Sequence, residues 1–137
     1  MTDAHKGPRS RREGDPERTR ARIAAAGVAL EAVALAVAAT AYGIHAFSLP
    51  EPAFAAGLAA FCGLIAAGLL LVARALDKGA RWAVSAALTW QALQTLAGIN
   101  LMGVSPALGV PLAVLGIAVG IAVLVGGRPA LRASRDG

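Results

Sequence analysis

Arg74-Ala75-Leu76-Asp77-Lys78-Gly79-Ala80-Arg81-Trp82 is the stretch whose reading decides the fold of this chain. It is a short basic break between two segments, residues 53–73 and 82–102, that contain no Lys, Arg, Asp or Glu. A helix needs about 20 apolar residues to cross the hydrocarbon of a bilayer. Each segment has that length, so the break reads as a tight turn between two membrane-spanning helices. Short loops rich in Lys and Arg stay cytoplasmic during insertion. The turn therefore assigns a side.

Working outward, two further apolar stretches complete the pattern. The first runs from Ile23 to about Phe47 and the last from about Leu108 to Val125. Lys6, Arg9, Arg11, Arg12, Arg18, Arg20 and Arg22 precede the first, and Arg128, Arg132 and Arg135 follow the last. With four crossings, all 13 basic residues fall on one face. The expected fold is all-α: a polytopic four-helix transmembrane bundle, spans about 23–47, 53–73, 82–102 and 108–125, with both termini cytoplasmic. The bundle domain covers 23–127. Residues 1–22 read as a disordered basic tail, since they hold almost nothing to bury, and 128–137 as a second basic tail.

Punctuation supports these bounds. Pro50-Glu51-Pro52 separates the first two spans, and Pro52 suits the first turn of a helix. Ser105-Pro106 reads as an N-cap and first helical position. Pro111 marks a kink or a late start of regular helix. Gly126-Gly127 with Pro129 reads as the end of the last helix. Ser10-Arg11-Arg12-Glu13 is followed by Gly14 and Asp15, which is not a twin-arginine signal. Ala39-Thr40-Ala41 follows an apolar region too long, and interrupted by Glu31, for a cleaved leader.

Composition agrees. The 137 residues are 57% hydrophobic and 15% charged, outside the usual soluble range. The net charge of +5 belongs to the flanks of hydrophobic spans. It points to anionic lipid head groups at the cytoplasmic face and not to nucleic acid. Cys62, the one cysteine, reads as a small buried hydrophobe. No metal-ligand spacing, nucleophile–base set or phosphate-binding loop is present, so no catalytic residue, metal or cofactor is expected.

Polar groups inside the spans carry the candidate site. Glu31 lies nine positions beyond Arg22, about 13–14 Å deep at 1.5 Å per residue. A bare carboxylate there costs several kcal/mol, so it should be protonated, hydrogen-bonded or beside water. Ala24, Gly27, Glu31, Ala38, Tyr42 and His45 share one arc at 100° per residue, a small and polar face turned to other helices. Gln91 lies nine residues beyond Trp82 and so at matching depth. With Gln94 and Thr95 it forms a polar sector of the third span, and Glu31 should bond Gln91 or Gln94, with Trp90 as another donor. Gly109, Ala113, Gly116 and Gly120 share a small-residue face that serves either internal packing or a dimer interface.

The chain resembles the small, uncharacterised four-helix integral membrane proteins frequent in high-GC actinobacteria. The residues that carry the resemblance are Ala29-Leu30-Glu31-Ala32, Arg81-Trp82-Ala83, Trp90-Gln91 and Gly109-Val110-Pro111-Leu112, and it covers roughly residues 20 to 128. It implies a four-pass fold and no particular activity. A weaker resemblance, to small multidrug-resistance transporters, rests on size, four helices and a first-span glutamate. It implies that Glu31 exchanges protons for a cationic substrate. The expected function is a non-enzymatic accessory or interaction protein of the cytoplasmic membrane, partnered by lipid and by a second copy or another membrane protein. The alternatives are a proton-coupled small-molecule transporter using Glu31 and a phage-type holin.

Overall fold

The computed structural model describes residues 15–132. The disorder expected for residues 1–14 and the basic tail from 133 onward lie outside the described residues. Among the described residues there are four helices: α1 (Asp15–Ala46), α2 (Pro52–Asp77), α3 (Arg81–Met102) and α4 (Pro106–Arg132).

Two boundaries differ from the sequence reading. α1 begins at Asp15, so the part of the expected disordered tail from residue 15 to 22 is helical. Asp15-Pro16-Glu17 is a helix start: acidic groups suit the positive end of the helix dipole, and proline tolerates the first turn. α4 does not stop at Gly126-Gly127 but runs to Arg132, through Pro129. These glycines permit contact and do not end the helix. A Cβ on Gly126 would lie 2.9 Å from the carbonyl oxygen of Arg20, and one on Gly127 would lie 2.9 Å from Val84 Cγ1. α4 also runs unbroken through Pro111. It starts where expected, with the Ser105 carbonyl accepting from the Leu108 and Gly109 N–H groups at 3.1 and 2.9 Å.

The basic turn between α2 and α3 closes by main-chain bonding. The Ala80 N–H donates to the Ala75 carbonyl and the Gly79 N–H to that of Leu76, both at 2.9 Å. This double closure needs a left-handed residue just past the helix. Gly79 supplies it at φ 74°. Arg22 on α1 and Asp77 on α2 form a loose pair at 4.0 Å across the same end, an exposed contact worth little.

α1, α2 and α4 are long and apolar enough to cross a membrane. At 1.5 Å per residue, α1 extends about 48 Å and α2 about 39 Å, so their basic ends project beyond a 30 Å-scale hydrocarbon core. α3 is less apolar along its length because it carries Ser85, Thr89, Gln91, Gln94, Thr95 and Asn100.

The helices run up and down as two hairpins. α1 packs most extensively on α2 and α3 on α4; α1 against α4 joins the hairpins, α2 against α3 adds less, and the diagonal pairs α1–α3 and α2–α4 touch least. The chain's α1 start, its α4 end and the α2–α3 turn share one end, here called the basic end. The other two connections form the far end.

The core sits in the basic half. Ala24, Val28 and Ala32 of α1 meet Leu69, Ala73 and Leu76 of α2, Ala83, Val84 and Ala87 of α3, and Val119 and Val123 of α4. Gly27 belongs to this junction, since its Cβ would lie 3.3 Å from both Val119 methyl groups. Toward the far end the close approaches are within hairpins. A Cβ on Gly43 would lie 3.3 Å from Ala59, and one on Gly98 would lie 2.5 Å from the Ala113 backbone nitrogen.

This divergence corrects one assignment. Ala38, expected at a helix contact, is exposed, as are Tyr42 and His45, while Ala39 is buried. The three exposed residues lie within about 40° of Glu31 at 100° per residue. The arc points in one direction along the whole helix. Only in the basic half is there another hairpin for it to meet. Cys62 on α2 is half-buried.

Candidate functional site

Glu31 and the glutamines meet where the packed half ends. α1 carries Glu31 inward on the same face as Gly27 and Ala24. α3 carries Gln91 and Gln94 one turn apart, which puts both side chains on one face. Gln91 Nε2 donates to Glu31 Oε2 at 2.7 Å, and Gln94 Nε2 donates to Glu31 Oε1 at 3.2 Å. Each carboxylate oxygen thus receives one amide N–H. The three side chains are buried, Gln91 most deeply at 3% exposure.

The cluster is incompletely paired. Gln91 Oε1 and Trp90 Nε1 are buried without a hydrogen-bond partner. The Trp90 indole lies close to the Glu31 carboxyl but outside hydrogen-bond geometry. Buried polar groups of this kind are uncommon, because leaving one unpaired costs about 1–3 kcal/mol. Thr95, expected in the same polar layer, is elsewhere. Its hydroxyl occupies the α3–α4 seam, 2.5 Å from where a Gly116 Cβ would be.

That seam uses the small-residue face of α4. A Cβ on Gly109 would lie 2.5 Å from the Met102 nitrogen, and one on Gly120 would lie 3.4 Å from Gln91 Cβ. Ala113 is buried in the same line. The face expected to serve either internal packing or a dimer is occupied by α3. It also sets the height of Gln91, since Gly116 and Gly120 let that residue's backbone and side chain approach α4.

A cavity of about 400 Å³ rises from the cluster between α1 and the α3–α4 hairpin. Glu31, Gln94 and Trp90 line its polar end, and Leu93, Leu112 and Leu115 are among its apolar walls. Leu93 and Leu115 are themselves exposed on the bundle's outer surface. On the basic side of the cluster Val28, Ala32 and Ala87 are fully buried. The site is an apolar cleft with a carboxylate at its polar end. Among the described residues no group of three His, Cys, Asp or Glu side chains could hold a metal ion. Chemically, the arrangement can accept and donate hydrogen bonds at the base of an apolar slot.

Comparison with protein-family models, with curated proteins and with solved structures returns no match. The described residues form helices only, and three helices long and apolar enough to span suggest a multi-pass membrane protein.

Sequence reasoning brought Glu31, Gln91 and Gln94 to one depth but missed the cleft walls. Trp90, Leu93 and Ala97 recur at helical spacing around Gln94, a signal for a shared face. Leu112 and Leu115 had no such signal, because their position depends on how far the hairpins diverge.

Proposed function

We propose that this is a four-pass protein of the cytoplasmic membrane, both termini cytoplasmic, with a non-enzymatic accessory role: it holds an apolar guest in the cleft that ends on Glu31. Membership of α3 in the spanning set is supported by where its polar groups point. Gln91 and Gln94 are buried, while Leu93, Leu96 and Ile99 face outward; of the exposed polar residues Ser85, Thr89 and Asn100, Thr89 turns its hydroxyl back to the Ser85 carbonyl. The orientation rests on the basic end, which collects Arg18, Arg20, Arg22, Arg74, Lys78, Arg81 and Arg128. On the residues quoted above we group the chain with the four-helix actinobacterial membrane proteins it resembles.

One observation carries the accessory reading: the cavity of about 400 Å³ is bordered by Glu31 and Gln94, and the buried core cluster, including Val28, Ala32 and Ala87, lies on the basic side of them. On this reading a guest enters from the cavity side, and the buried core separates it from the basic end. Pockets that bind small molecules occupy about 300–1,000 Å³ and combine apolar walls with a few placed polar groups. The cleft fits that description.

Proton-coupled transport is the second reading, favoured by the same cleft reaching a mid-depth carboxylate. It requires the packed half to open in alternation. Proteoliposomes under an imposed pH gradient separate the two. The accessory reading expects no flux of lipophilic cations that depends on Glu31, and no proton release on guest addition. Uptake that is lost in Glu31→Gln overturns it in favour of transport.

A further inference from the structure

We infer that the cleft selects a lipophilic alcohol, an apolar body ending in a hydroxyl group that donates to Glu31 and accepts from Trp90. This rests on the reading of the cleft as a guest site within the bilayer, and it names the guest's chemistry. The polar end of the cavity offers two complementary needs side by side. The Trp90 indole N–H is buried with no acceptor. The Glu31 carboxyl has acceptor capacity beyond the two amide bonds it receives, since an ionised carboxylate has about four lone-pair sites.

A hydroxyl is one donor with two acceptor sites, so a single small group meets both needs at once. An ammonium head donates only and leaves the indole unpaired. An ester or ketone accepts only and leaves the carboxylate unanswered. A fatty carboxylate brings a second negative charge against Glu31. The remaining lining, with Leu93, Leu112 and Leu115, suits a hydrocarbon body. Its exposed outer leucines leave the cleft open on the side that faces lipid, which is where such a molecule is dissolved.

The test uses the full chain in phosphatidylcholine nanodiscs with Trp82→Phe, which makes Trp90 the sole tryptophan. Trp82 is 60% exposed, so this change leaves the core intact. Four medium-chain probes carrying bromine at the same carbon are compared as quenchers of Trp90: an alcohol, an amine, a methyl ester and an alkane. The alcohol is expected to quench saturably at a roughly tenfold lower membrane concentration than the ester or alkane, the equivalent of about 1.4 kcal/mol. Unlabelled alcohol should reverse the effect. Glu31→Gln, which keeps an acceptor oxygen at the site, should retain most of the preference, whereas Glu31→Leu should erase it while still admitting the alkane. Equal saturable quenching by all four probes, or preference for the amine, overturns the hydroxyl selectivity but leaves a guest-holding cleft. Absence of saturable quenching by any probe overturns the cleft reading as well.

Discussion

Glu31 on α1 and Gln91 on α3 are joined by a 2.7 Å hydrogen bond across the diagonal of the bundle, between the two helices that share a direction. Sixty residues of chain separate them. The bond sits between the buried core cluster and the cavity lined by Leu93, Leu112 and Leu115, and it ties the two hairpins together.

Its strength can be read by a double-mutant cycle. Glu31→Leu, Gln91→Leu and the double variant, unfolded in mixed micelles, should show a coupling of about 0.5–1.7 kcal/mol, the range measured for such bonds between membrane helices. The Glu31–Gln94 cycle should give less, because that bond is 3.2 Å long. Equal or larger coupling at Gln94 contradicts the geometry.

The α3–α4 seam predicts a sharp split among glycines. Gly98→Val and Gly109→Val force a Cβ to 2.5 Å from backbone atoms of the facing helix, so both should abolish the folded form in detergent. Gly57 and Gly68 have nothing within 4 Å of where an added Cβ would lie. Changing either to Ala should be neutral or stabilise by about 0.5–1 kcal/mol, the ordinary helix preference. Thermal melting followed by circular dichroism reads both sets.

Divergence of the hairpins predicts opposite outcomes for adjacent faces of α1. Ala32 is fully buried, and Ala32→Trp should cost about 1–3 kcal/mol or more through overpacking. Ala38→Trp, on the exposed face beyond Glu31, should change stability by no more than about 0.5 kcal/mol. A closed bundle would make the second variant as damaging as the first.

Topology is open to labelling. In a Cys62→Ala background, a cysteine at Ser48 or Ser105, in the two far-end connections, should react with a membrane-impermeant maleimide on intact cells. A cysteine at Lys78 should react only after permeabilisation. Labelling of Lys78→Cys from outside inverts the orientation.

The apolar stretches, the basic break at Arg74–Trp82 and the matching depths of Glu31 and Gln91 were legible in the residues alone. Each follows from one-dimensional counting: about 20 residues per crossing, basic residues near short loops and 1.5 Å of rise per residue. Counting along one helix also found the direction in which Ala38, Tyr42 and His45 point. What it could not find was whether anything stood opposite them. That depends on the angle between two hairpins, which is decided by the close seat of Gly27 on Val119 and of Gly126 on Arg20 at one end, with no equivalent at the other. The same limit explains the α4 terminus, where Gly126-Gly127 reads as a stop locally but serves as a contact surface once α1 lies against it. Local chemistry set the elements and their register. Tertiary structure decided which faces are covered, because burial is a property of what packs opposite a residue and not of the residue itself.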